Sequence, residues 1–82
     1  SIEGPLVIQP KVFFDERGYF FESYNKDLFV KNGIPYEFLQ DNQSLSQKNA
    51  VRGLHFQAAP FEQGKLVRVI KGAVLDIIVD IR

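Results

Sequence analysis

Lys65-Leu66-Val67-Arg68-Val69-Ile70 and Ala73-Val74-Leu75-Asp76-Ile77-Ile78-Val79-Asp80-Ile81, joined through Lys71-Gly72, are the most strand-like part of the sequence. β-Branched and other apolar residues dominate both runs, and a glycine between them suits a tight hairpin turn. In the second run Leu75, Ile77, Val79 and Ile81 fall on one face of an extended chain. Asp76 and Asp80 fall on the other face with Val74 and Ile78, which is the period of two expected of a strand. The two aspartates could be paired carboxylates, but a solvated outer face is the simpler account.

Working outward, Gln63-Gly64 opens this hairpin and Ala58-Ala59-Pro60-Phe61-Glu62 reads as a loop before it. Ala50-Val51-Arg52-Gly53-Leu54-His55-Phe56-Gln57 is apolar on either side of the chain's one histidine and also reads as a strand. Gln43 to Asn49 is polar and loop-like, and Phe38 to Asn42 looks extended. Asn25 is a good helix N-cap, Lys26 to Lys31 has room for little more than one or two turns, and Asn32-Gly33-Ile34-Pro35 stops it. Asp15-Glu16-Arg17-Gly18 has turn chemistry, with Asp at the first position and Gly at the last. It should join Lys11-Val12-Phe13-Phe14 to Tyr19-Phe20-Phe21-Glu22-Ser23-Tyr24 in a hairpin spanning roughly residues 11–24. Pro5 to Gln9 is a further β-prone run. About six short strands, one short helix and no repeat predict an all-β sandwich or barrel.

Length and composition bound the rest. Eighty-two residues make one domain, and a chain that short buries only about 60–65% of its unfolded surface. With 45% apolar and 24% charged residues, it is globular rather than disordered. A net charge of zero argues against nucleic acid or a membrane surface as an electrostatic partner. No apolar run nears the ~18 residues of a membrane span, and no signal peptide opens the chain. The absence of cysteine excludes disulfides and thiolate metal sites and is compatible with a cytoplasmic setting. Ser1 in place of Met predicts a trimmed N-terminus, and an end at Arg82 directly after an apolar strand predicts a cut from a longer protein.

Three groups carry the chemistry worth testing. His55 could be a general base, a metal ligand or a half-buried strand histidine. A metal is disfavoured, because a zinc or iron site needs further histidines and there is no second one. As a base it is apt, since an ordinary imidazole is mostly neutral and able to accept a proton at pH 7. Lys65 either covers a strand edge or stabilises negative charge developing on a carbonyl oxygen. Arg52 is a surface cation or a phosphate ligand. In a regular strand residues 52 and 55 point to opposite faces, so a shared site predicts an irregularity at Gly53. Arg17 and Glu22 flank an aromatic patch and have turn chemistry and a solvated cross-hairpin pair as their alternative. Gln40-Asp41-Asn42 is either a polar binding segment or a loop hydrogen-bond network.

The order of these motifs resembles one family. Asp15-Glu16-Arg17-Gly18-Tyr19-Phe20-Phe21-Glu22, Gln40-Asp41-Asn42-Gln43-Ser44, Arg52-Gly53-Leu54-His55-Phe56-Gln57, Gln63-Gly64-Lys65-Leu66-Val67-Arg68-Val69 and Asp76 to Arg82 resemble dTDP-4-dehydrorhamnose 3,5-epimerases from about Pro5 onward. The resemblance implies a cupin-like jelly roll, of which the chain would be the N-terminal portion, in a homodimer that uses no metal or cofactor. It also implies a dTDP-deoxyhexose substrate, dTDP-4-dehydro-6-deoxy-D-glucose, epimerised at carbons 3 and 5 to dTDP-4-dehydro-L-rhamnose. His55 matches the proton acceptor and Lys65 the lysine at the keto oxygen. Arg52 and Gln40, Asp41 and Asn42 match substrate-binding positions. Arg17, Phe20 and Glu22 match a nucleotide-contacting stretch supplied by the neighbouring subunit. The family's acid tyrosine and histidine-orienting aspartate belong to a later part of its chain, and Tyr19, Tyr24 and Tyr36 do not match that motif. The alternatives are a non-catalytic nucleotide-sugar binding module and a related epimerase that inverts one carbon.

Overall fold

The structure, a computed structural model, describes residues 4–82; Ser1, on which the expected trimming rests, lies outside them. Its regular elements in chain order are β1 (Val12–Asp15), β2 (Gly18–Phe21) and α1 (Lys26–Lys31). The predicted first hairpin is present. β1 and β2 pair antiparallel with Val12 opposite Phe21, Phe13 opposite Phe20, Phe14 opposite Tyr19 and Asp15 opposite Gly18. The turn closes because the Asp15 carboxylate accepts from the Arg17 backbone N–H at 2.8 Å, an Asx turn. Gly18 completes it at φ +142, where a Cβ meets no neighbour but is conformationally strained. Phe14, Tyr19 and Phe21 share one face, with ring centroids 6.2 Å apart for Phe14 and Tyr19 and 6.0 Å for Tyr19 and Phe21.

The helix follows its sequence signals closely. Asn25 is extended, and its side chain accepts from the Leu28 N–H at 3.1 Å. Asp27 in the first turn and Lys31 in the last complement the helix dipole. At the other end Gly33 (φ +84) donates to the Val30 carbonyl at 3.1 Å, and Ile34 donates to the Phe29 carbonyl at 2.8 Å. These two bonds make a Schellman stop. The turn aims Phe29 at Tyr24 and Phe38, edge-to-face at 4.8 and 6.4 Å, and Tyr24 meets Phe38 at 5.4 Å. Phe29 is the one buried hydrophobic among the described residues.

Beyond Phe38 the expected strands do not form. Residues 38–42, 50–57, 65–70 and 73–81 carry no strand among the described residues, and neither does 5–9. The Lys71–Gly72 turn survives as a bend, with Gly72 at φ +91, but the runs beside it do not pair. The physical reason lies in what a strand is. A helix closes its hydrogen bonds within its own segment, whereas a strand closes them only on a neighbour and gains its stability from an apolar face covered by other residues. Here that cover is missing: Leu75 is 87% exposed, Ile77 64% and Ile81 67%. The accessible surface of 8814 Å² compares with about 5,000 Å² for a compact chain of this size, and the radius of gyration of 15.3 Å with about 12 Å. The Arg68 guanidinium reaches the hairpin from this region, lying 5.6 Å from the centre of the Phe21 ring.

Candidate functional site

The segment around His55 doubles back. A turn in which the Phe61 N–H donates to the Ala58 carbonyl at 2.9 Å carries residues 62–65 past residues 55–57. The result is a shallow cleft of about 220 Å³ lined by His55, Phe56, Gln57, Glu62, Gln63 and Lys65. His55 and Lys65 thus border one concavity although neither lies on a strand. Its size is below the ~300–1,000 Å³ usual for ligand pockets.

Gly53 lies at φ +118, but no strand runs through it, so this is not the strand bulge expected of a site shared by Arg52 and His55. A Cβ added there would sit 3.6 Å from His55 Nδ1, so the glycine is where the backbone passes close under the imidazole. This conformation does not bring Arg52 to the cleft, whose lining omits it. Next to Lys65, Gly64 lies under the Tyr36 ring, where an added Cβ would be 3.5 Å from Cγ.

The remaining candidates lie apart from this cleft. Arg17 and Phe20 border a second depression of about 340 Å³ with Phe13, Phe14, Asp15, Gly18 and Tyr19. Arg17 pairs with Asp15, through Nη2 at 2.7 Å and Nε at 3.2 Å to the same carboxylate oxygen, and not with Glu22 as the cross-hairpin alternative had it. The Arg17 side-chain and backbone hydrogen bonds hold the Asp15 carboxyl below its ordinary pKa of 3.8. Gln40 Nε2 donates to Asn42 Oδ1 at 3.3 Å, the local network set out as its alternative, and Asp41 is exposed beside it. Asp80 pairs with Arg82, whose Nη2 lies at 2.7 Å, and not with Asp76. The hydrogen bonds from Arg82 lower the Asp80 pKa to about 2.

Sequence reasoning missed Glu62 as part of the cleft. It stands in the loop before Gln63, and the signal was the loop's own Ala-Pro pair, which reverses the chain and returns residue 62 to residue 55. No group of three or more His, Cys, Asp or Glu able to hold a metal occurs among the described residues. No helix among them is long and apolar enough to cross a membrane.

The family model described as dTDP-4-dehydrorhamnose 3,5-epimerase matches residues 1–82. The chain belongs to the dTDP-4-dehydrorhamnose 3,5-epimerase family. A dTDP-4-dehydrorhamnose 3,5-epimerase of Methanothermobacter thermautotrophicus is 50% identical over all of this chain and 44% of its own length. That of Escherichia coli is 52% identical over all of this chain and 45% of its own length. A Streptomyces niveus protein named dTDP-4-dehydrorhamnose 3-epimerase is 42% identical and is covered over 40% of its length. The chain therefore spans about half the length of the curated relatives it matches. No solved structure matches it at a significant level.

Proposed function

We propose that these residues form the N-terminal portion of a cupin-like jelly roll that epimerises a dTDP-linked 4-keto-6-deoxyhexose. The reaction converts dTDP-4-dehydro-6-deoxy-D-glucose to dTDP-4-dehydro-L-rhamnose in the cytoplasm. The observation that carries the reading is the shared cleft of His55 and Lys65, in a chain of this family.

The chemistry follows from the two groups. Carbons 3 and 5 both lie alpha to the 4-keto group, so a proton on either becomes removable once the enolate oxygen is stabilised. Neutral His55 takes the proton and the Lys65 ammonium holds the oxyanion. Return of a proton from the opposite face inverts the carbon. That step belongs to an acid on the other side of the sugar, a role the family resemblance gives to a tyrosine outside these residues. Arg52, Gln40, Asp41 and Asn42 bind substrate in the completed site. Arg17, Phe20 and Glu22 serve the nucleotide across a homodimer interface, and no cofactor takes part.

The apolar face of Leu75, Ile77, Val79 and Ile81 is the part of the jelly-roll core that such a fold would cover. The unbroken apolar character of that face, against two aspartates on the other, supports this placement.

A second reading keeps the site and changes the outcome. The Streptomyces niveus relative is named a 3-epimerase, so inversion at carbon 3 alone is the rival. The test is the natural full-length protein incubated with the keto sugar in heavy water. Deuterium at carbons 3 and 5 is expected; deuterium at carbon 3 alone would select the rival, and at neither a binding protein. His55→Asn is expected to slow exchange by about 10²–10⁴-fold with dTDP affinity retained. Exchange near the wild-type rate would remove His55 from the mechanism.

A further inference from the structure

The Asp15–Arg17 pair is the best-defined polar contact of the hairpin, and the reaction as proposed leaves Asp15 without a task. Asp15 uses its two oxygens differently. Oδ1 accepts the Arg17 backbone N–H at 2.8 Å and closes the turn. Oδ2 accepts from Arg17 Nε at 3.2 Å and Nη2 at 2.7 Å. The second oxygen therefore occupies one edge of the guanidinium, leaving the Nη1 protons for a ligand. Arg17 is otherwise solvent-exposed, at 87% of its side chain. Its orientation beside the depression ringed by Phe13, Phe14, Tyr19 and Phe20 comes from Asp15.

We infer that Asp15 is a positioning residue, which holds Arg17 ready for the nucleotide part of the substrate before that substrate arrives. The inference rests on the reading of Arg17 as a nucleotide contact. Two effects oppose each other. A carboxylate near an anionic ligand repels it, but between water-exposed groups some 6 Å apart at physiological salt this is worth about twofold in affinity. Ordering a free arginine on binding costs about two- to twelvefold. Pre-ordering wins, and a net weakening of about threefold is expected when the carboxylate charge is removed.

Asp15→Asn separates the two roles. The Asn side-chain oxygen can still accept the Arg17 N–H and keep the turn, while the charge-assisted grip on the guanidinium is lost. In the natural full-length protein, dTDP affinity is measured by calorimetry for wild type, Asp15→Asn, Arg17→Ala and the double variant. Arg17→Ala is expected to weaken dTDP about tenfold or more. Asp15→Asn is expected to weaken it about threefold with kcat at saturating substrate unchanged, and in the Arg17→Ala background to cause no further weakening but, with the repulsion gone, a gain of about twofold. The Arg17 Nε–H resonance should lose its slowed solvent exchange in Asp15→Asn.

Unchanged dTDP affinity in Asp15→Asn, or the same loss with Arg17 already removed, would overturn the inference. So would an Arg17→Ala variant that binds dTDP like wild type. None of these outcomes bears on deuterium incorporation by the wild type, which tests the epimerase reading separately.

Discussion

Residues 11–38 and residues 50–82 are comparably rich in β-branched and aromatic residues, yet only the first region builds regular structure. The difference is one of range. The hairpin and helix are closed by groups within a few positions of each other. Examples are Asp15 with Arg17, Asn25 with Leu28, and Phe29 with Ile34. The later region has the stronger strand pattern, but its runs need partners distant in sequence, and neither loop-closure entropy nor an exposed face favours them without cover. Strand propensity marks a surface that wants covering; it does not itself supply the cover.

The comparison breaks most severely at Phe29. Phe29→Ala removes the ring that Tyr24 and Phe38 pack on and is expected to cost the first region about 3 kcal/mol. Loss of hydrogen-exchange protection at the Gly33 and Ile34 amides is the measurement. Protection equal to wild type would mean that the caps, not the aromatic cluster, hold this region.

Acid is the next lever. The Asp15 pKa is lower folded than unfolded, because Arg17 favours the carboxylate. Its contribution to the turn is therefore complete above the ordinary value of 3.8 and is lost as pH falls through the depressed one. The cross-strand proximities of Val12 with Phe21 and Phe13 with Phe20 should weaken over that acid range. The Asp80–Arg82 pairing should persist to about pH 2. Carboxyl NMR titration checks both; an Asp15 that titrates at 3.8 would remove its bond to Arg17 from the account.

The smallest effect sharpens the contrast. Leu75→Ala, at a residue 87% exposed, should change urea unfolding of the 82-residue chain by less than about 0.5 kcal/mol. In the full-length protein the same change should cost about 2–5 kcal/mol if the face is part of a core. Equal, small effects in both would argue against a buried role for this face.

Two of the nine candidate residues, His55 and Lys65, border one cleft, and their spacing is local. His55 and Lys65 share a cleft since the Ala58–Phe61 turn lies between them, and Gly53 lies at φ +118 beside His55. Arg52 shows the limit. Side-chain direction at a strand position is set by a ladder, and without a ladder the motif does not settle where Arg52 points. Glu62 shows the converse, a residue in an unremarkable loop that the return of the chain brings to the cleft.

By itself, the sequence determined the family, the first hairpin with its Asp-to-Gly turn and the capped helix. All of these depend on neighbours a few residues away. Only the tertiary structure decided that Phe29 is buried and that the apolar runs of residues 65–81 stay unpaired here. Burial and strand pairing are properties of surfaces meeting, and a pattern in one segment cannot specify the surface that meets it.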